Sequence, residues 1–231
     1  MSHEHNIFNM SRPQRDAMCA MKDSIIVPLL EGLEIADPVC YHALLMPCLH
    51  GPELRVLRAR GVPDGNLWAL EKDPRVWAEM RRALPVRMLS GPMHSAVSMP
   101  HVCAEMARTG KRFDLVYLDY FGQPADEHLK ALTFLFKLRM LAERADLILT
   151  FAANRCARHV TSVNRQLRGE MLGHLVKAYV DAALCAATAA AGCGSAQPRY
   201  RSFDCDIYPG GTGRNLYATC HCAFGPRGAE A

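Results

Sequence analysis

The stretch that decides the fold reads Phe113-Asp114-Leu115-Val116-Tyr117-Leu118-Asp119-Tyr120-Phe121-Gly122. Its first six residues are almost all apolar and include β-branched and aromatic side chains, which is typical of a strand buried on both faces. The apolar run ends at Asp119, and Gly122 and Pro124 follow where a strand gives way to a loop. We therefore predict that residues 113–124 form a buried strand that delivers Asp119 and the aromatic residues after it to one edge of a sheet.

Apolar runs that alternate with helical patterns surround this strand. A short apolar run of four to eight residues indicates a buried strand, and apolar positions at a spacing of three and four indicate a helix. On these grounds we predict strands at 41–46, 67–70, 86–89, 115–118 and 147–151. We predict helices at 53–60, at 74–84, from after His94 to about 109, and at 126–143. Repeated strand–helix units of this kind predict a parallel sheet with helices on both faces.

The two ends of the chain differ from this repeat. A long helix over about 161–190 is followed by two strand-like runs, 200–208 and 215–224, on either side of Pro209-Gly210-Gly211-Thr212-Gly213. A Gly-rich turn between two such runs predicts an antiparallel hairpin. The first forty residues read as helical, with a cap at Ser11 and proline near the first turn. We predict a helical extension over 1–40 and a single α/β domain over 41–231.

Parallel units closed by a hairpin resemble the class I S-adenosylmethionine-dependent methyltransferases, and the resemblance spans Tyr41 to Phe224. It implies a Rossmann-like fold with a largely parallel seven-stranded sheet, a C-terminal antiparallel hairpin and helices on both faces. It also implies S-adenosyl-L-methionine as the cofactor. The sequence has no GxGxxG and no GK[ST] segment that would cradle a pyrophosphate, so a nicotinamide-dependent oxidoreductase is disfavoured.

The composition is that of an ordinary globular protein. Half of the 231 residues are apolar, 22% are charged, and the net charge is +4. This mild excess of positive charge is compatible with a DNA or RNA substrate but is weaker than in a dedicated nucleic-acid-binding protein. The amino terminus shows no signal-peptide pattern, and no apolar stretch reaches the ~20 residues that span a bilayer. We expect a cytoplasmic protein without a membrane partner, and the oligomeric state stays open.

Ligands of open α/β sheets lie beyond the carboxyl ends of the strands. We therefore predict that three loops hold the cofactor: the first is Pro47–Pro52, the second begins at Glu71 and the third is Ser90–His94. Glu71 lies 20 positions after Gly51, the spacing at which Rossmann-like sites place an acid for ribose hydroxyls. The third loop is expected to face the adenine, while Asp73 reads as the cap of the next helix. The predicted cofactor-binding residues are Pro47, His50, Gly51, Glu71, Lys72, Ser90, Gly91, Met93 and Asp119.

The residues from Asp119 to Pro124 are the predicted catalytic segment. They resemble the [DNS]PP[YF] motif of amino-methyltransferases, and more closely the D-P-F-G-x-P segment of tRNA guanine-N2 dimethyltransferases, with Tyr120 in place of proline. The resemblance implies that an acid oxygen holds the acceptor amine while an aromatic ring stacks on the base. The predicted catalytic residues are Asp119, Tyr120 and Phe121, and the predicted substrate contacts are Gly122, Asn154 and Arg155.

Two further interpretations concern the cysteines and the activity. The ten cysteines include no CxxC pair, and the one candidate metal cluster is Cys220-His221-Cys222 with Cys205. A strand places Cys220 and Cys222 on one face, so we predict reduced core thiols and no metal. For function, the leading hypothesis is a methyltransferase that acts on an amino group of a nucleic-acid base. The alternative is an inactive binding or assembly protein with the same fold, favoured by the single glycine of the first loop and by Tyr120.

Overall fold

The computed structural model describes residues 12–47, 51–71, 73–90, 99–119, 126–153, 165–192, 200–209 and 216–225. The helices are α1 (Arg12–Gly32), α2 (Pro52–Ala59), α3 (Pro74–Ala83), α4 (Met99–Thr109), α5 (Asp126–Lys137) and α6 (Arg165–Ala190). The strands are β1 (Ala43–Leu45), β2 (Leu67–Glu71), β3 (Arg87–Ser90), β4 (Phe113–Asp119), β5 (Leu141–Ala152), β6 (Tyr200–Pro209) and β7 (Leu216–Phe224).

All seven strands form one sheet in the order β3-β2-β1-β4-β5-β7-β6. β1 to β5 pair in parallel, and β7 is antiparallel to both of its neighbours, β5 and β6. Six strands therefore run in one direction and β7 alone runs against them. The order reverses between β1 and β4, which is the switch point at which α/β proteins bind ligands. The predicted fold class, a Rossmann-like methyltransferase fold with a C-terminal antiparallel hairpin, is confirmed.

The sheet lies between two apolar cores, and β4 contributes to both. Val116 and Leu118 belong to the core beneath α4, α5 and α6, whereas Leu115 and Tyr117 belong to the core beneath α1 and α2. Every residue of β4 except Asp114 is buried, which confirms the sequence-based prediction of a strand without a solvent face. Within the described ranges, no helix combines the length and the apolar character needed to cross a bilayer.

Helix α1 packs directly onto the sheet. Its Ile26 and Leu30 are buried in the core that also holds Leu54 and Leu57 of α2. Arg60, just after α2, donates from its guanidinium to the carbonyls of Leu30, at 2.7 Å, and Leu33, at 2.6 Å. These bonds satisfy carbonyl groups that the end of a helix leaves without partners. The predicted boundary between an extension and a domain at residue 40 stays a prediction.

The region between α5 and β5 differs from the sequence-based prediction. The helix was expected to continue to Glu143, but it ends at Lys137, and β5 begins at Leu141 rather than Leu147. The chain turns at Arg139, which has a φ of 49°. Leu138, Met140 and Leu141 fit a helical apolar pattern as well as a strand pattern, and no glycine or proline marks the turn. Periodicity alone could not separate the two elements.

His42 directly precedes β1 and is buried with only 5% of its surface exposed. Its backbone N–H donates to Asp114 Oδ2 at 2.8 Å, whereas neither ring nitrogen has a hydrogen-bond partner among the described residues. Burial, together with the nearby charge of Lys111, lowers the pKa of His42 to about 4. The folded protein therefore keeps this imidazole neutral over a range in which the unfolded chain binds a proton.

We predict that His42 makes the protein less stable as the pH falls from 6.5 to about 4, the ordinary and the folded pKa of this ring. Only the unfolded state binds the proton in that window, so the free energy of unfolding falls by up to about 1.4 kcal/mol per pH unit. Above the window both states are neutral, and below it both are protonated. Urea denaturation at several pH values should show a shallower fall for His42→Leu, which keeps the backbone bond to Asp114. Parallel pH profiles for the two proteins would contradict this assignment.

Candidate functional site

The carboxyl ends of β2, β1 and β4 bring two acidic residues to the switch point. Leu45, the last residue of β1, pairs with Ala69 of β2 and with Tyr117 of β4. Glu71 and Asp119 each lie two residues beyond those partners, so the chain that leaves β1 through Pro47 passes between them. Strands two places apart in a sheet are separated by roughly 10 Å. Two of the predicted site acids therefore flank the exit of β1, as the sequence pattern requires.

The turn from β1 into α2 depends on Gly51. This residue caps α2 with φ 53° and ψ 47°, the left-handed region that a side chain disfavours. Its carbonyl accepts from the N–H groups of Leu54 and Arg55, both at 3.1 Å. A Cβ atom at this position would lie 3.3 Å from side-chain atoms of Leu54 and Leu84. Glycine thus avoids both the backbone strain and the crowding that a side chain would bring to the residue that caps α2.

Glu53 is a residue of this region that the sequence-based prediction missed. It lies in the first turn of α2 and its side chain is fully buried. A negative charge at this end of a helix is favoured by the helix dipole. The sequence does show that Glu53 lies in the first turn of a helix, because it follows Gly51 and Pro52, which together mark a helix start.

The end of β2 carries a carboxylate that also orders the following turn. Glu71 Oε1 accepts from the N–H of Asp73 at 2.8 Å, and Asp73 Oδ1 accepts from the N–H of Arg75 at 2.8 Å. Asp73 is therefore the cap of α3, as predicted. Glu71 pairs in register with Ser90 of β3, so these two predicted cofactor residues are neighbours at the edge. Their contacts with a cofactor stay a prediction.

Asp119 ends β4 and has only 7% of its surface exposed. The hydroxyl of Tyr117 donates to Asp119 Oδ2 at 3.3 Å. Residues two apart in a strand point to the same face, so Asp119 faces the side of the sheet on which α1 and α2 pack. The contact restricts the direction in which this carboxylate points before any ligand is bound.

A row of polar side chains continues from Asp119 across the rest of the sheet. Thr150 of β5 pairs in register with Asp119, and Thr219 of β7 pairs with Thr150. The Oγ1 atoms of the two threonines lie 2.9 Å apart, and the Tyr208 hydroxyl lies 3.0 Å from Thr219 Oγ1. Sequence reasoning missed this chain of hydroxyl groups, because it joins β5 to a hairpin that is distant along the chain and depends on the register of the strands.

An aromatic pair lies at the same edge. Tyr208 and Tyr217 are opposite each other on β6 and β7, with ring centroids 6.1 Å apart and an angle of 24° between the rings. Both rings are half-buried. Burial raises the pKa of Tyr208, so its hydroxyl stays protonated. The pair adds a flat apolar surface with one hydroxyl tied to the threonine chain.

Several predicted site residues lie outside the described part of the structure. Ser90 is described for its backbone alone. The others are His50, Lys72, Gly91, Met93, Tyr120, Phe121, Gly122, Asn154 and Arg155. Of the predicted set, the structure positions Pro47, Gly51, Glu71 and Asp119, and it brings all four to one edge of the sheet.

The four residues of the candidate metal cluster do not share one site, although the Sγ atoms of Cys205 and Cys220 are 3.4 Å apart. Cys220 and Cys222 are both buried in the core beneath α4, α5 and α6, as the strand pattern predicted. His221 between them faces the other side of the sheet, where its Nε2 lies 2.7 Å from Asp146 Oδ1. Within the part of the chain that is described, no three His, Cys, Asp or Glu side chains are grouped so as to hold a metal ion.

A groove of about 1040 Å³ lies away from these acids. It is lined by α1, by residues near the amino ends of β4 and β5, including Asp114 and Asp146, and by residues of β6 as far as Tyr208. Neither Glu71 nor Asp119 lines it. Parallel strands present their ligand sites at the carboxyl edge, so we assign the chemistry to that edge and not to the groove.

No protein-family model and no curated protein matches this chain in sequence. Three solved structures resemble it in fold. The O-methyltransferase from Bacillus cereus in complex with SAH has 14% identity, a TM-score of 0.46, and coverage of 94% of this chain and 93% of that one. The fibrillarin pre-rRNA processing protein of Methanococcus jannaschii has 12% identity, a TM-score of 0.45, and coverage of 89% and 76%. TYW2 of M. jannaschii in complex with AdoMet has 11% identity, a TM-score of 0.45, and coverage of 94% of this chain and 78% of that one.

These identities and scores are low, so the fold assignment depends on the strand order of this chain. The strand order is β3-β2-β1-β4-β5-β7-β6, with β7 alone antiparallel. The fold is that of a class I methyltransferase.

We predict that Gly51→Ala lowers the free energy of unfolding by about 1–2 kcal/mol, because alanine is disfavoured at a φ of 53° and its Cβ would crowd Leu54 and Leu84. Gly173→Ala is the matched control, since that glycine lies within α6 and a Cβ atom there would meet no atom of a neighbouring element within 4 Å. Chemical denaturation should find the control neutral or more stable. An equal effect of both substitutions would show that the turn does not need glycine.

Proposed function

We propose that this protein is an S-adenosylmethionine-dependent methyltransferase that methylates an amino group of a nucleic-acid base. The single observation that carries the proposal is the placement of Glu71 and Asp119 on either side of the β1 exit, at the carboxyl edge of the sheet. One acid is positioned to hold the ribose of a nucleoside cofactor. The other is assigned to an acceptor on the far side of the β1 exit.

The first three loops supply groups that suit this cofactor. Glu71 has a carboxylate that can accept hydrogen bonds from a vicinal diol, and its Oε1 is already oriented by the N–H of Asp73. The amino end of α2, reached through Pro47, His50 and Gly51, suits the carboxylate of the methionine portion. The adenine is assigned to Ser90, Gly91 and Met93, with Lys72 beside Glu71. The bound cofactor supplies an activated methyl group on a sulfonium.

Asp119 is assigned to the acceptor amine. Its carboxylate is held by the Tyr117 hydroxyl at 3.3 Å, so it can accept a hydrogen bond from the amine in a fixed direction. This orientation turns the nitrogen lone pair toward the methyl donor, and catalysis is then mainly alignment. Tyr120 and Phe121 are assigned to stacking on the base, with Gly122, Asn154 and Arg155 as further substrate contacts.

Two features support a nucleic-acid substrate. The net charge is +4, which favours a polyanion without making this a dedicated binder. The Tyr208–Tyr217 pair lies two residues beyond Asp206 and Thr219, at the edge where Asp119 ends its strand. Half-buried aromatic rings of this kind are surfaces on which bases stack. We therefore favour DNA or RNA over a small molecule as the acceptor.

Replacement of Glu71 by glutamine should weaken cofactor binding about tenfold, because the neutral amide loses a charge-assisted bond to the ribose worth about 1.5 kcal/mol. The glutamine carbonyl can still accept from Asp73, so the turn is preserved. Glu79→Gln on the exposed side of α3 is the matched control. Isothermal titration with S-adenosylmethionine checks the prediction. Absence of binding to the unaltered protein at millimolar cofactor would exclude the proposed enzyme and favour the binding-protein alternative.

Asp119→Ala should lower methyl transfer to nucleic acid at least about 100-fold, because the amine is no longer held in line with the methyl group. Cofactor affinity should change less than threefold by the same reasoning, since the ribose acid is intact. Tyr117→Phe should cause a smaller loss, because the carboxylate remains but is less well oriented. Transfer of radiolabelled methyl groups to total RNA and to unmethylated DNA measures the effect. Undiminished transfer by the alanine variant would refute the assignment of Asp119.

A further inference from the structure

Two cysteines face each other at the free edge of the sheet. Cys205 of β6 and Cys220 of β7 are register partners, and their Sγ atoms are 3.4 Å apart. β6 is the last strand of the sheet and is paired to β7 alone. Nothing in the proposed methyl transfer uses either thiol. Core packing needs two small apolar side chains here, but it does not need two sulfur atoms in contact.

We propose that Cys205 and Cys220 form a reversible oxidation site, at which a low-molecular-weight disulfide such as oxidised glutathione converts the two thiols into a disulfide between β6 and β7.

The geometry allows the bond to form with little movement. Residues directly opposite each other in antiparallel strands have Cα atoms about 4.5 or 5.5 Å apart. Both values lie within the range of about 4.4–6.8 Å that disulfides span. The two sulfur atoms are 3.4 Å apart and must come together to a bond length of about 2.05 Å. Rotation of the two side chains supplies this, without any change in strand register.

The two thiols have different roles. Cys205 is partly exposed on the edge strand, whereas Cys220 is fully buried. The Cys220 thiol donates a hydrogen bond to Cys205 Sγ, and this bond lowers the pKa of Cys205. The thiolate is the nucleophile in disulfide exchange. Cys205 is therefore the group that meets the oxidant, and Cys220 is the group that resolves the intermediate.

The exchange takes place in two steps. The Cys205 thiolate attacks one sulfur of oxidised glutathione, which forms a mixed disulfide and releases one glutathione thiolate. Cys220 then loses its proton and attacks Cys205 Sγ, which forms the protein disulfide and releases the second glutathione. The two protons from the cysteines end on the two glutathione molecules. The protein loses two electrons and the oxidant gains them.

Two other described cysteines, Cys222 and Cys40, lack this arrangement. Cys222 lies two residues from Cys220 on the same face, but its partner across the strands is Phe203. Burial raises the pKa of Cys222 to about 12. Cys40 is exposed, but its hydrogen bond with Asp37 raises the pKa of its thiol. Exposure of a thiol is therefore not what distinguishes the proposed oxidation site. The contact between the Cys205 and Cys220 sulfur atoms distinguishes it.

The disulfide would secure the edge of the sheet. When both thiols are reduced, β6 is held by its hydrogen bonds to β7 and by a few side chains. When they are joined, β6 cannot leave β7 without breaking a covalent bond. The next pair along the hairpin, Asp206 and Thr219, is in register with Asp119 through Thr150, so the cross-link also stiffens the part of the hairpin nearest to Asp119.

The full-length protein is incubated with oxidised glutathione, trapped with iodoacetamide and digested for mass spectrometry. We expect a peptide pair joined through Cys205 and Cys220, reversed by dithiothreitol. The melting temperature should rise by at least about 3 °C on oxidation, because the cross-link closes a loop. Cys205→Ser should lose both the cross-link and the shift, while Cys222→Ser should keep both.

Three results would overturn the proposal. The first is alkylation of both thiols after oxidation under conditions in which Cys40 forms a glutathione adduct. The second is a stable glutathione adduct on Cys205 that Cys220 does not resolve. The third is a cross-link that joins either cysteine to a different thiol. Because mapping is performed on the unaltered chain, the result does not depend on whether a serine variant folds.

Discussion

Burial of β4 on both faces is the constraint on which the rest of the structure depends. A strand that has no solvent side must be covered by helices above and below, and its hydrogen-bonding edges must be filled by neighbouring strands. Val116 and Leu118 meet this demand on one side, and Leu115 and Tyr117 meet it on the other. The strands β1 and β5 complete the edges. The order of the whole sheet is built outward from this centre.

The same constraint places the polar chemistry. Because a charge in the middle of β4 would be buried without water, its acidic residues lie only toward the two ends of the strand, at Asp114 and Asp119. Asp119 ends the strand at the carboxyl edge, and Glu71 is the corresponding residue of β2. The polar row then extends outward through Thr150 and Thr219, whose hydroxyl groups satisfy each other. The candidate site is thus a consequence of where the strands must stop being apolar.

Features that depend on local pattern could be predicted from the sequence. Three such features follow from residue spacing within a few positions. They are the apolar run of β4, the cap at Asp73, and the burial of Cys220 and Cys222 on one face of β7. The end of α5 was predicted wrongly, because the turn at Arg139 carries no glycine or proline. The hydroxyl chain from Thr150 to Tyr208 and the contact of Cys205 with Cys220 were not predictable, since each depends on strand register. Burial of Glu53 was equally hidden, because it depends on how α2 docks against the sheet.

The arrangement of Glu71 and Asp119 around the β1 exit is tested most directly by a crystal structure grown with S-adenosylhomocysteine. We predict that the ribose hydroxyls lie within hydrogen-bonding distance of the Glu71 carboxylate and that the sulfur faces Asp119. The carboxylate of the ligand should point to the start of α2 at Gly51. Density for the ligand in the groove beside Asp146 and His221, with the carboxyl edge empty, would contradict the assignment of the site.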